Sequence, residues 1–555
     1  MKVTRRDLLV WSAGAAAGLV VTPVPWKLLD DVSIWSQNWP WIPQPARGPV
    51  DVKQSACALC PRGCGIKVRM AGGWPVGVAG VINHPVTRGA LCPLAFGAHQ
   101  LNWHPKRLRT VHRQASSSSW VEAQAAFAKA CAEGPVVVID GYPGRAESLV
   151  LETFAQNRNG QYHVVLSPEI RSLIPYETWS GIPATALGYD IENAQTIVSF
   201  GAPLLDGWGS PGQFSRLWAE RAAGMTDPKL RLIQVEAELS RTATRAWRWV
   251  AIHQGAEAAL AAGLARVLLE DRLVRARLPM PALTLTDAAV RSGITPDAIR
   301  DLARTIVANP PVVAIADDDN PAIAALNIVL GSIGTPGGIV KKTKAAKSYL
   351  AADSASSPAR AVLIDASVPW EFTPQTDAEV FRFAAWDGGS SKADWLLPAP
   401  GFLEALADVP TAPAFPVETY TIASSLVKAP HEVHSAAQFV RTIDPSLPAM
   451  EKIIHTRCED VFRRRLGTLH AQEQAPVATL PSALKLEEEL RKGAVWVGEP
   501  LRVGFRCEMK EWPTISDSAT SANWTESWSA PVLPPLASKL CRESNLREAP
   551  QGRNA

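Results

Sequence analysis

Apolar residues fall into two rhythms along this chain. Short runs, each closed by a turn residue, occur at Val136–Asp140, Ile197–Gly201, Leu230–Val235 and Val312–Ala316. Runs this short and rich in β-branched residues predict strands buried on both faces. Longer stretches with helical spacing lie between them, such as Ala256–Glu270. Alternating strand and helix predict parallel sheets with helices on both faces. Nearer the N-terminus, Gly65–Arg69 and Trp74–Val78 read as strands of a separate small domain. The pattern over 123–132 predicts an amphipathic helix in which Cys131 is a small buried residue. Leu480–Arg491 predicts a late helix with Ser482 as its N-cap. Two stretches have no period. Residues 26–50 are rich in Trp and Pro (Trp35, Trp39, Trp41) and read as an arm that lies on a neighbour. Beyond about residue 515 the tail reads as a wrap around a partner or as partly disordered.

The N-terminus reads as an address. Thr4-Arg5-Arg6-Asp7-Leu8-Leu9 leads into an apolar run from Leu8 to Val21. Paired arginines before a short hydrophobic stretch form a twin-arginine (Tat) export signal. The run is short for a span of roughly 20 residues. No small-x-small cleavage site is clear before Thr22-Pro23-Val24-Pro25. The expectation is an uncleaved N-terminal anchor, with the body on the periplasmic face of the cytoplasmic membrane.

Composition narrows the class. The chain has 555 residues, of which 47% are hydrophobic and 20% charged, enough for several packed units. A net charge of +3 gives no case for nucleic acid as a partner. The 20 tryptophans suit interfaces as well as cores.

The chemistry sits in the cysteines. There are eight: Cys57, Cys60, Cys64, Cys92, Cys131, Cys458, Cys507 and Cys541. Three of the first four fall within eight residues, Cys57-Ala58-Leu59-Cys60-Pro61-Arg62-Gly63-Cys64. A disulfide between such near neighbours would be strained, whereas one metal centre can draw three ligands from a single loop. Gly63 and Gly65 let backbone pass close to such a centre. Cys92 follows in Gly89-Ala90-Leu91-Cys92-Pro93. The resulting C-x2-C-x3-C-x27-C spacing fits one [4Fe–4S] cluster on Cys57, Cys60, Cys64 and Cys92. A four-cysteine zinc site is the alternative, although zinc motifs more often pair two C-x2-C knuckles. No C-x-x-C-H is present, so no haem is expected on this chain. Cys458, Cys507 and Cys541 allow one disulfide or free thiols. No His or carboxylate constellation asks for general acid–base work, so no catalytic residue is assigned.

From these residues onward the chain resembles the molybdopterin oxidoreductases of the DMSO reductase and formate dehydrogenase superfamily. The cysteine motif is similar to that family's cluster motif. Pro105-Lys106-Arg107-Leu108 resembles its "P-x-R-L" segment, and Asp190-Ile191-Glu192-Asn193-Ala194 its "D-x-E-N-A" segment. Asn327 and Gly331-Ser332-Ile333-Gly334-Thr335-Pro336-Gly337-Gly338 resemble its "L-N-x-L-x-G-x-I-G-x-x-G-G" loop. Ala393-Asp394 to Pro398, with Phe402-Leu403-Glu404, resembles "A-D-x-V-L-P … F-x-E". The likeness runs from about 50 to 440. Leu187–Ala194 and Ser199–Pro211 resemble one subgroup, the molybdopterin-like subunits of the quinone reductase complex and of alternative complex III.

The resemblance implies an α/β fold with a small N-terminal Fe–S domain, parallel α/β domains and a reduced or missing C-terminal β-barrel. It divides the chain into 1–25 (signal or anchor), 26–50 (arm), 51–110 (cluster domain), 111–440 (α/β domains) and 441–555 (helix and irregular tail). The subgroup is understood to lack molybdopterin. It works beside a ferredoxin-like multi-cluster subunit, a polytopic quinone-binding membrane subunit and a multihaem cytochrome c.

Departures from the catalytic pattern agree with that implication. Cys92-Pro93-Leu94-Ala95-Phe96 has leucine where active members carry a basic residue between cluster and pterin. The stretch 167–180 has no cysteine, only Ser172 and Ser180 as conceivable molybdenum ligands, and serines commonly serve turns. After Pro500 only 55 residues remain, too few for the full barrel. The expected function is a non-catalytic electron-transfer and scaffold subunit of a membrane-associated quinone (or menaquinone):cytochrome c-type oxidoreductase complex. The alternatives are an active molybdenum and bis-pterin enzyme and a purely structural assembly subunit.

Overall fold

The structure is a computed structural model. It describes residues 4–21 and 48–515, apart from 225–227, 277, 344–346, 349–358, 366–377, 387–392, 472 and 501–503. Most of the arm over 26–50, the tail beyond 515 and Cys541 lie outside the described residues. The chain divides into two compact units, 1–48 and 49–555. The first holds the helix Arg5–Val21. Thr4 and Asp7 cap it reciprocally: the Asp7 N–H donates to Thr4 Oγ1 (3.3 Å) and the Thr4 N–H to Asp7 Oδ2 (2.9 Å). No described helix is long and apolar enough to cross a membrane.

The second unit begins with a three-stranded antiparallel sheet, Val50–Ala56, Gly65–Ala71 and Trp74–Gly80 in that order. Gly72 and Gly73, at φ +55° and +84°, form the tight turn between the last two strands.

Two larger sheets carry the body. One is parallel and four-stranded, in the order Arg248–Ala251, Arg231–Glu236, Thr196–Phe200, Val312–Ala316. Every residue of the last two strands is buried, which explains their unbroken apolar character. The helix Glu257–Glu270 packs beside them, as its spacing predicted. The other sheet has seven strands: Ser116–Ser118, Val111–Arg113, Trp395–Pro398, Glu379–Ala384, Ala361–Asp365, Val136–Asp140, Gln161–Val164. Its last five strands run parallel and its first two antiparallel. Trp120–Glu133 lies against it, with Phe127 edge-on to Phe381 at 4.9 Å. Cys131 is buried on that helix, as expected.

The expected boundary at 440 is not a boundary in packing. Helices Ala436–Ile443, Met450–Arg464 and Ala483–Arg491 share one core with Trp120, Phe127 and Phe381. A five-stranded antiparallel sheet accompanies them, in the order Ala407–Val409, Thr419–Ala423, Val495–Val497, Thr468–His470, Gln474–Pro476. The described residues between 441 and 497 thus form helices and short strands that pack into this core, the predicted late helix among them. Ser482 caps its helix as predicted, accepting from the Lys485 N–H (3.1 Å). Among the described residues Cys458 and Cys507 have no disulfide partner.

Candidate metal centre

The first and third cysteines are placed by one sheet register. Ala56 pairs with Gly65, so Cys57 leaves one strand where Cys64 enters the next. The Cys57 N–H donates to the Cys64 carbonyl (2.8 Å) and closes the loop that carries Cys60. Gly63 stands at φ +61°, and a Cβ there would meet Val409 Cγ1 at 2.6 Å, so this turn requires glycine.

The fourth cysteine is placed by a close backbone contact. A Cβ on Gly80 would fall 2.2 Å from the Gly89 carbonyl oxygen, so the strand Trp74–Gly80 and the loop before Cys92 touch directly. His84 stiffens that loop, its Nδ1 accepting from the Val86 and Thr87 N–H groups (3.3 and 3.2 Å). Cys92 then caps the short helix Pro93–Gly97.

Cys57 and Cys64 are buried, and Cys60 and Cys92 half-buried. Leu59, Leu91, Leu94, Trp386, Phe402 and Leu403 form the apolar wall around them. Burial pushes the Cys57 thiol well up, and charge on Cys60, Cys64 and Cys92 pushes it further. Cys64 is raised by burial and then by Cys60 and Cys92, and Cys92 by burial and by Cys60. Cys57, Cys64 and Cys92 thus pack in one apolar cluster, with Cys60 on the loop between the first two, and burial and neighbouring charge oppose the thiolates of Cys57, Cys64 and Cys92. The positive iron–sulfur core of a bound cluster would offset both penalties, so the donor set fits [4Fe–4S]. Among the described residues no three His, Cys, Asp or Glu are disposed to hold one metal ion. A bound [4Fe–4S] cluster would be held by Cys57, Cys60, Cys64 and Cys92 without all four converging on one ion.

The surroundings contain groups that sequence reasoning did not assign. Arg62, inside the cysteine loop, donates from Nη1 to Cys60 Sγ (3.8 Å) and from Nη2 to Glu169 (2.8 Å) and to the Gly207 carbonyl. Tyr142 donates its hydroxyl to the Cys60 carbonyl (3.1 Å). The only local signal for Arg62 was a basic residue between two cysteines. Nothing in sequence pointed to Glu169 or Tyr142.

The remaining motifs turn out to pair with one another. Arg107 and Glu404, 297 positions apart, form a buried ion pair at 2.5 Å. Asn327 bonds both the N–H and the carbonyl of Ala314 (2.8 and 2.7 Å) and completes the adjacent strand. Two backbone N–H groups beside glycine turns, at Gly337 and at Ala146 just after Gly144, donate to carboxylates. Asp190 accepts from the Gly337 N–H (2.9 Å), and Asp408 accepts from the Ala146 N–H at a helix start (2.7 Å). Ser172 donates to the Glu169 carbonyl (2.9 Å) and bonds the Tyr189 hydroxyl (3.0 Å). Ser180 donates to the Tyr176 carbonyl (2.6 Å).

This geometry defines an iron–sulfur domain joined to an α/β body, and residues 50–100 match the family model "Molybdopterin oxidoreductase Fe4S4 domain". In fold the chain is similar to acetylene hydratase from Pelobacter acetylenicus, on which it superposes with a TM-score of 0.58 and 13% identity, over 80% of this chain and 74% of that one. More particularly, the chain is 29% identical over 374 residues to the "Menaquinone reductase, molybdopterin-binding-like subunit" of Nitratidesulfovibrio vulgaris, covering 61% of this chain and 52% of that protein. The chain thus spans about half the length of this curated relative.

Proposed function

We propose that this chain is an electron-transfer and docking subunit of a membrane-associated menaquinone:cytochrome c-type oxidoreductase complex. It holds one [4Fe–4S] cluster on Cys57, Cys60, Cys64 and Cys92 and has no molybdopterin of its own. Similarity to a menaquinone reductase subunit supports the quinone assignment. The packing of Cys57, Cys64 and Cys92 in one apolar cluster, with Cys60 on the loop between the first two, supports the cluster assignment. The bound cluster would supply one-electron exchange. The chain's own part is to exclude water with Leu59, Leu94 and Trp386 and to donate to Cys60 from Arg62.

The pterin-free reading rests on groups that already satisfy themselves. Asp190 accepts from the Gly337 N–H and Asp408 from the Ala146 N–H, Ser172 and Ser180 donate to carbonyls of their own segment, and Leu94 is buried beside the cysteines. The twin-arginine sequence supports Tat export to the periplasmic face of the cytoplasmic membrane, with an uncleaved anchor. The partners that fit are a ferredoxin-like multi-cluster subunit, a polytopic quinone-binding membrane subunit and a multihaem cytochrome c.

Purification of the full-length chain from native membranes tests the assignment. The expected result is co-purification with a multihaem cytochrome and a membrane subunit, and reduction of an EPR-detected cluster by menaquinol. Isolation as a free soluble protein, or a cluster that menaquinol never reduces, would overturn it.

A further inference from the structure

We propose that Arg62 and Glu169 form a charge relay that sets the reduction potential of the centre, Arg62 favouring the reduced state and Glu169 opposing it. The inference rests on the cluster reading given above. Arg62 lies between two ligands and touches the sulfur of one of them, Cys60. Its other nitrogen reaches out of the cluster domain to Glu169, a residue 107 positions away in the α/β body. The side chains of Arg62 and Glu169 are 13% and 2% exposed, so water screens neither strongly. A guanidinium keeps its proton in proteins, so Arg62 is a fixed positive charge at this place.

Glu169 is itself asymmetric. Its Oε1 accepts from Arg62 and from the Gly209 N–H (2.5 Å), while its buried Oε2 has no hydrogen-bond partner among the described residues. A carboxylate in that state leaves part of its charge uncompensated. Buried ion pairs gain little net stability over an apolar pair, so stability alone does not explain this one. Hydrogen bonds and net charge near cluster sulfurs do set the potential. A cation bonded to Cys60 stabilises the more negative, reduced cluster. The carboxylate one step further away works against it.

The two residues therefore have opposite signatures. Arg62→Gln removes the cation and is expected to lower the midpoint potential. Glu169→Gln removes the opposing anion and is expected to raise it. Arg62→Lys keeps the charge but loses the forked geometry, and its potential should fall between Arg62→Gln and wild type.

EPR-monitored redox titration of the full-length chain, with iron content measured on each sample, decides the matter. Opposite shifts at unchanged iron content support the relay. Shifts of the same sign, or no shift in either variant, would show that the pair only braces the domain contact and would overturn it. If Arg62→Gln fails to hold iron, Glu169→Gln decides alone: an upward shift supports the relay, and an unchanged or lower potential refutes it. A wild-type chain without iron would instead refute the underlying cluster reading.

Discussion

Replacing Gly80 by alanine should cost the chain its metal centre, although residue 80 is not a ligand. The new Cβ would sit 2.2 Å from the Gly89 carbonyl oxygen, with the Gly89 carbonyl carbon at 2.5 Å and its Cα at 2.8 Å. All three are backbone atoms, so no side-chain rotation relieves the contact. Real Cβ contacts stay beyond 3.0 Å, which requires the strand and the loop to separate by about 0.8 Å. Overpacking of this kind costs about 1–3 kcal/mol. The loop that retreats is the one delivering Cys92, three residues past Gly89. Gly77 is the internal control. It lies on the same strand, three residues earlier, and a Cβ there would have nothing within 4 Å. Iron per chain and EPR signal intensity should fall in Gly80→Ala and stay at the wild-type level in Gly77→Ala. Full iron loading in Gly80→Ala would refute the claim that this backbone contact places the fourth ligand.

Two further outcomes follow from buried charge. Arg107→Met leaves Glu404 buried without its partner and should destabilise the fold by about 3–5 kcal/mol, while Arg107→Met with Glu404→Leu should cost far less than the sum of the single changes; urea unfolding that places Arg107→Met at the wild-type midpoint would contradict this. Burial, then the Asp318 charge, raises the Asp317 carboxyl to about 7 in the native state, against an ordinary value of 3.8. Between those values the native state binds more protons than the unfolded chain, so this group's contribution to stability falls as pH rises from about 4 to about 7. Asp317→Asn should therefore gain more over wild type at pH 8 than at pH 5, and equal gains at both pH values would count against the burial of this charge.

The cysteine spacing was legible in sequence because three ligands sit on one loop and chain geometry forces them together. The approach of Cys92 was not, because it depends on two glycines meeting across a strand and a loop. Parallel strands such as Val312–Ala316 were legible as apolar runs with no polar face. Their order was not: Val136–Asp140 pairs with Ala361–Asp365, more than 200 residues away, instead of with the next strand in sequence alone. Apart from the helix at 480–491, residues 441–497 show no clear pattern in sequence, because their strands are only three residues long and Met450–Arg464 carries many charges. Met450–Arg464 buries just Ile453, Ile454, Cys458 and Val461, a stripe easily lost among its arginines and glutamates. Arg107 and Glu404 were visible as motif residues, but that they are partners appears only when the fold brings 104–108 against 401–404.

Metal analysis of the full-length chain purified with its cofactors tests the central claim most directly. With one [4Fe–4S] cluster on Cys57, Cys60, Cys64 and Cys92, the protein should contain four irons and four acid-labile sulfides per chain, and no molybdenum. Stoichiometric molybdenum, or zinc in place of iron, would contradict that assignment.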